Sequence, residues 1–221
     1  MEIDTRYINQ LEIIINLFTI ENGMIKILLL KRTEEPFKNY WFLPSNLLMT
    51  SETIEECAKA TVYEYTNFEY IDLIQCNIFS QIDRLPNERI IANSLIGIVP
   101  NIVLNHHRYR KNIECKWFPI NDIPKTVYDH TKIIEDAITF LKKQICDHHL
   151  IQNFLEEDFT LPELQSIYEC AYGKKLDRRN FRKKIVKLNI IEETGEINEL
   201  TNGRPAKLYK FKENIEELNL F

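Results

Sequence analysis

Three stretches decide how this 221-residue chain is organised: Phe159-Thr160-Leu161-Pro162-Glu163-Leu164-Gln165-Ser166-Ile167-Tyr168-Glu169, then Leu176-Asp177-Arg178-Arg179-Asn180-Phe181-Arg182-Lys183-Lys184, then Gly203-Arg204-Pro205-Ala206-Lys207-Leu208-Tyr209. Thr160 stands three residues before Glu163, the spacing of a capping box, in which the two residues satisfy each other's backbone N–H groups at a helix start. Leu164, Ile167, Tyr168 and Ala171 then supply one apolar face, and Gly173 supplies the stop. Asp177 opens a second helix in which Phe181, Ile185 and Leu188 fall at i, i+4 and i+7. Arg179 and Lys183 therefore point almost directly away from its core, flanked by Asn180, Arg182 and Lys187. Residues 190–211 read as a hairpin wing, with Ile190-Ile191-Glu192 and Lys207-Leu208-Tyr209-Lys210-Phe211 as strands and Arg204 near the tip.

A helix with fork-shaped Arg donors and an Asn on its outer face can contact phosphates and base edges in a major groove, and lysines there add phosphate affinity. The expected DNA-contacting residues are Arg178, Arg179, Asn180, Arg182, Lys183, Lys187, Arg204 and Lys207, with Arg204 suited to a narrow minor groove or a phosphate. The charge distribution agrees. Residues 159–212 carry 12 Lys and Arg against 7 Asp and Glu, a net of +5, which leaves 16 basic and 26 acidic residues elsewhere, a net of −10. A basic module on an acidic body is the electrostatic footprint expected of a nucleic-acid binder.

The remaining sequence alternates strand and helix signals. Apolar runs at Leu11–Ile20 and Met24–Leu30 are joined through Glu21-Asn22-Gly23, a hairpin signal. There follow a short strand at Trp41-Phe42-Leu43 ending at Pro44, a helix over Glu52–Thr66, strands at Ile71–Phe79, Ile90–Val99 and Glu114–Phe118, and a helix over Thr131–Ile145. A content of 44% hydrophobic residues suffices for a medium core plus a small one. We expect two domains, over 1–150 and 151–221. No apolar run is long enough to span a bilayer, and Met1-Glu2-Ile3-Asp4 lacks the basic start of a signal peptide, so a cytoplasmic protein is expected. Cys57, Cys76, Cys115, Cys146 and Cys170 are odd in number and contain no C-x-x-C pair, which predicts reduced, mostly buried thiols.

The helix over Glu52–Thr66 carries a core-facing stripe of Ile54, Cys57, Ala58, Thr61, Val62 and Tyr65. With Trp41-Phe42-Leu43-Pro44 before it and Asn67-Phe68 after it, the segment resembles the Nudix box, G-x5-E-x7-R-E-U-x-E-E-x-G-U. In that register Asn46 replaces the first Gly, Glu52 keeps the first Glu, Ala60 replaces Arg, and Thr61 replaces the next Glu. Val62 and Glu64 match; Tyr65 and Asn67 do not. The last three carboxylates of the box lie at i, i+3 and i+4 on one helix face, where they hold divalent metal. Here those positions read Thr61, Glu64 and Tyr65, a poor ligand set for magnesium. No catalytic residue, metal or cofactor is therefore expected, and Glu52, Glu55, Glu56 and Glu64 read as the solvated face of the helix.

Around the box, Leu30-Lys31-Arg32, Pro36-Phe37-Lys38-Asn39-Tyr40-Trp41, Asp83-Arg84-Leu85-Pro86, Trp117-Phe118-Pro119 and Tyr128-Asp129-His130 are similar to segments of the Nudix-related transcriptional regulators of the NrtR and AraR types, with Asn39 departing at a glycine. The resemblance covers nearly the whole chain. It implies an α+β protein, with an N-terminal Nudix α/β/α sandwich and a C-terminal winged helix-turn-helix. It also implies a homodimer on operator DNA and a small-molecule effector. Two effector classes follow from it: an NAD-derived nucleotide such as ADP-ribose, or L-arabinose. The missing carboxylates favour the sugar, because a pyrophosphate would lack its metal whereas a sugar needs oriented polar groups and an aromatic wall. Arg32, Trp41, Asp83, Arg84, Asp129 and His130 are the candidate pocket residues. Trp41 has a plainer reading as a core aromatic, Asp83 and Asp129 as carboxylates capping a turn and a helix, and His130 as a packing histidine. A repressor released by its ligand is the expected mode, against an atypical hydrolase using Glu52, Glu56 and Glu64 and against an RNA-binding regulator.

Overall fold

The computed structural model describes residues 10–21, 23–69, 71–86, 88–100, 113–146, 150–198 and 205–212. The chain divides into two compact units. One comprises Met1–Phe18, Lys26–Val99 and Val103–Phe140, the other Thr19–Ile25, Pro100–Ile102 and Leu141–Phe221.

A seven-stranded sheet organises the N-terminal part. Its strands are β1 (Gln10–Glu21), β2 (Met24–Lys31), β3 (Trp41–Phe42), β4 (Ser45–Leu47), β5 (Leu73–Phe79), β6 (Ile90–Ile98) and β7 (Cys115–Pro119). The spatial order is β3-β2-β1-β6-β5, with β4 paired to β1 and β7 to β2. β1 and β6 run parallel, from Gln10 beside Ile90 to Phe18 beside Ile98. The two central strands are buried on both faces, which explains their near-continuous apolar sequence. Ile13, Ile15 and Leu17 of β1 share a core with Leu28, Leu95 and residues of helix α1 (Ile54–Thr66). The alternate residues Ile14, Asn16 and Phe18 are equally buried, so the opposite face is covered too.

α1 starts two residues later than its sequence suggests, because Thr53 caps it. The Thr53 hydroxyl accepts the Glu56 N–H while Glu56 accepts the Thr53 N–H. Such a cap stabilises a helix by about 1 kcal/mol. Cys57, Ala58, Thr61, Val62 and Thr66 form its buried stripe. Asn67 ends it with φ +62°. Helix α2 (His130–Cys146) buries Ile133, Ile134, Ala137, Leu141 and Ile145. Its Asp136 accepts from the Cys76 thiol and the Asn77 amide of β5.

Two left-handed asparagines account for two of the three glycine positions that the sequence lacks. Asn39 and Asn67 stand where the regulator pattern and the box have glycine, and both have positive φ, at +70° and +62°. Asparagine is among the few residues that tolerate this region, so the turns survive the substitutions.

The C-terminal part is built from a short 3-10 turn (Ile151–Phe154), strand β8 (Phe159–Thr160), helix α3 (Leu161–Tyr172), helix α4 (Arg178–Leu188), and strands β9 (Ile191–Asn198) and β10 (Ala206–Phe211). The capping box at Thr160 and Glu163 forms, and Gly173 closes α3 with φ +64°. Asp177 caps α4 by accepting the Asn180 N–H. In the turn between the helices, Glu169 accepts from the Gln165 amide, the Leu176 N–H and Lys175. β10 pairs with β8 on one side and β9 on the other, so Phe159-Thr160 serves as a third strand as well as a cap. Phe159, Leu164, Ile167, Tyr168, Phe181, Ile185 and Tyr209 form the core of this part.

Candidate effector cavity and nucleic-acid interface

On α1, the box positions that would hold metal are committed elsewhere. Thr61 is fully buried, and its hydroxyl donates to the Cys57 carbonyl at 2.7 Å. Tyr65 lies edge-on to Phe42 with ring centroids 6.4 Å apart. Burial, and secondarily the charge of Glu64, raise the Tyr65 phenol and keep it neutral. The one remaining carboxylate, Glu64, accepts a 2.9 Å hydrogen bond from the amide of Asn46, which also donates to Thr61. Glu52 accepts the Met49 N–H. The residue that replaces the box glycine thus supplies the partner that a metal would supply. Among the described residues, no group of three His, Cys, Asp or Glu could hold a metal ion. The donor set does not fit the magnesium chemistry of the box.

Two adjoining cavities flank this face. One, of about 620 Å³, is lined by Asn46, Met49, Glu52, Cys57, Ala60 and Glu64. The other, of about 390 Å³, is lined by Arg32, Phe42, Tyr65, Leu85, Tyr128 and His130. Glu12, Ser45 and Leu47 line both. Burial first, then the nearby Glu52, push the Cys57 thiol up to about 11, so it presents a neutral Sγ.

Behind the smaller cavity lies a buried charge network. The Arg84 side chain is 1% exposed and bridges Glu12 and Asp129. It donates to Asp129 through Nε at 3.0 Å and Nη2 at 3.2 Å, and to Glu12 Oε2 through Nη1 and Nη2, both at 3.1 Å. His130 is buried, and its Nδ1 accepts the Leu43 N–H at 3.0 Å. Burial lowers its pKa, opposed by Glu12 and Asp129 and reinforced by Arg84, so the imidazole is neutral.

The six expected pocket residues therefore differ in placement. Arg32 and His130 line the smaller cavity, although the Arg32 Nε is held by the Glu34 and Pro36 carbonyls. Arg84 and Asp129 bond to each other behind the cavity wall. Trp41 packs edge-on against Phe118 and lines neither cavity, and Asp83 is exposed in the loop before β6. Glu12 and Ser45 are lining residues that the sequence did not single out, and Tyr65, read there as a core-facing box position, lines the smaller cavity. The signal for Glu12 was present as a lone carboxylate inside the apolar run of β1.

In the C-terminal unit, Arg178, Arg179, Asn180, Arg182, Lys183 and Lys187 are all exposed on α4, while Phe181 and Ile185 are buried. Lys207 stands on β10, where it pairs with Glu193 of β9 at 2.7 Å; Tyr209 donates to the same carboxylate. Lys207 holds the Glu193 carboxyl below its ordinary range, with Tyr209 and the nearby Arg182 acting in the same direction. Arg182 and Lys207 therefore share one electrostatic neighbourhood with an acid between them. Arg204 lies outside the described residues.

The family model for the NrtR DNA-binding winged helix domain matches residues 151–211. This segment is similar to NrtR-type winged helices. A relative from Acinetobacter baylyi, the ADPR responsive transcriptional repressor NtrR, is 26% identical over 203 residues, covering 88% of this chain and 79% of its own. An ADP-ribose pyrophosphatase from Methanocaldococcus jannaschii is 33% identical over 111 residues, covering 50% of this chain and 64% of its own. The crystal structure of Shewanella oneidensis NrtR matches with a TM-score of 0.76 and 25% identity, covering 91% of this chain and 94% of that one. The fold is thus a Nudix domain followed by a winged helix, as expected from the sequence. The resemblance is to the NrtR type; none of these relatives supports the expected arabinose-responsive type. Among the described residues no helix is long and apolar enough to cross a membrane.

Proposed function

We propose that this chain is a ligand-responsive transcriptional repressor that binds duplex operator DNA through α4 and the β9–β10 wing. Its Nudix domain would take ADP-ribose or a related NAD-derived nucleotide without hydrolysing it. The observation that carries the DNA half is the exposed basic face of α4 within a segment matching an NrtR winged helix. The effector half rests on similarity to an ADP-ribose-responsive repressor across most of the chain. It replaces the sugar favoured by the sequence, because the smaller cavity offers what a nucleotide needs without metal. Phe42, Tyr65 and Tyr128 can stack on a base, Arg32 can face a phosphate, and Glu12 and Ser45 can bond ribose hydroxyls. Arg84 and Asp129 act by holding Glu12 and the start of α2 in place. Two copies on a near-palindromic site fit the way such helices read DNA. Effector binding lowers operator occupancy by its differential affinity for the free and DNA-bound forms.

Fluorescence anisotropy of a labelled operator duplex tests this directly. ADP-ribose should release the protein from DNA and raise its melting temperature, while L-arabinose should do neither. Arg179→Ala and Arg182→Ala should weaken specific binding, and Lys187→Ala should mainly reduce its salt dependence. Unchanged affinity in all three variants would remove α4 from the interface. The similarity to a pyrophosphatase favours a second reading, hydrolysis of ADP-ribose. The capture of Glu64 by Asn46 opposes it, and magnesium-dependent turnover lost in Glu64→Gln would establish it.

A further inference from the structure

Val186 sits in the middle of the basic face of α4, outside the buried residues of that helix. Phe181 and Ile185 are the buried residues of this helix, whereas Val186 is 58% exposed. At about 100° per residue, Val186 projects between Arg179 and Lys183 on one side and Arg182 on the other, at i+7, i+3 and i+4 from them. A β-branched residue at an exposed helical position is mildly unfavourable compared with Ala or Lys, so neither propensity nor core packing explains it. The surrounding cations exclude an apolar protein partner and select a polyanion. A major groove lined by phosphates presents one apolar group on its base edges, the C5 methyl of thymine.

We infer that Val186 is a specificity-determining residue that packs its methyl groups against a thymine methyl in the major groove, beside the phosphate and base-edge contacts of the neighbouring Arg179, Arg182 and Lys183. The inference rests on the DNA-binding reading above and adds a base identity to it. Val186 would read a T·A pair by apolar contact, separately from any hydrogen-bonding readout by Arg or Asn.

The test uses the full chain and a duplex selected by it from a random-sequence library. Each thymine of the selected site is replaced in turn by deoxyuridine, which removes only the methyl group. At one thymine in each half-site, deoxyuridine should weaken wild-type binding about fourfold, the value of one buried methyl-sized group. Val186→Ala should weaken binding of the unmodified site by a similar factor and be insensitive to deoxyuridine at that position. Val186→Ile should retain the sensitivity. A scan in which Val186→Ala and wild type lose the same factor at every thymine, or neither loses any, overturns the inference while leaving DNA binding intact. Failure of the wild-type chain to select or bind any duplex overturns the DNA-binding reading, and this inference with it.

Discussion

Replacing Arg84 with alanine tests the buried network on which the candidate effector cavity is built. The guanidinium makes four hydrogen bonds to two carboxylates and a longer one, 3.4 Å, to the Ile90 carbonyl. The side chains of Glu12 and Asp129 are themselves only 15% and 17% exposed. Removing the cation leaves two partly desolvated carboxylates facing one another, and breaking a buried pair in this way costs about 3–5 kcal/mol. For a domain of this size that corresponds to a fall in Tm of roughly 10–15 °C. Both tryptophans, Trp41 and Trp117, lie in the N-terminal unit. Intrinsic fluorescence during urea unfolding therefore follows the unit that contains the network, without interference from the winged helix. The combination Arg84→Met, Glu12→Gln and Asp129→Asn should recover most of the loss, since an uncharged set of similar shape has no unpaired charge to strand. A loss under about 1 kcal/mol for Arg84→Ala, or a triple variant no more stable than the single one, would refute the reasoning.

Three further outcomes follow from the electrostatics. Glu193→Gln frees Lys207 and removes an acid from the DNA-facing side; duplex affinity should rise, and the slope of log K against log salt should steepen by up to about 0.9 for one more neutralised phosphate, whereas an unchanged slope would show that Lys207 meets no phosphate. The depressed pKa of buried His130 means its contribution to stability is full above the unfolded value of about 6.5 and declines as pH falls below it; His130→Asn, which can keep an acceptor for the Leu43 N–H, should flatten the dependence of the urea midpoint on pH between about 7 and 5, and equal slopes would sink the assignment. Burial opposes ionisation of Glu169, but Lys175, the Leu176 N–H and Gln165 outweigh it and hold the carboxyl down at about 2. Its contribution to the winged helix should persist above the unfolded value of about 4.3 and be lost as pH falls toward the folded one, so Glu169→Gln should remove that acid-sensitive part in circular-dichroism melts, and wild-type acid sensitivity in the variant would count against the brace.

Local chemistry was legible in the sequence wherever a short-range rule governs it. Thr160 with Glu163, Gly173 and Asp177 mark the ends of the two C-terminal helices because capping needs only residues within one turn. Cys57, Ala58, Thr61 and Val62 of the buried α1 stripe and the exposed basic face of α4 follow from helical period alone, whereas Ile54 and Tyr65 are only half-buried and Thr66 joins the stripe. Long-range pairing was not legible. Arg84 reads as a loop arginine, and only the return of β1 and the start of α2, which bring Glu12 and Asp129 to it across 72 and 45 residues, makes it a buried structural cation. Strand β4 is three residues long, too short to show an alternating pattern, yet it carries both Ser45 and Asn46 to the cavities. The partner of Lys207 was hidden for the same reason, since Glu193 meets it only through the register of the wing.

The hydrogen bond from Asn46 to Glu64 has a consequence for what kind of signal such a protein can report. A receptor that cleaved its ligand would empty itself at a rate set by its own chemistry, and its occupancy would follow the flux of ligand supplied to it. In the proposed receptor, with Glu64 held by an amide, occupancy would depend only on how fast the ligand arrives and how long it stays. The proposed receptor would then measure a steady concentration, with the Asn46 amide occupying the one carboxylate left after Thr61 and Tyr65 replace the other two.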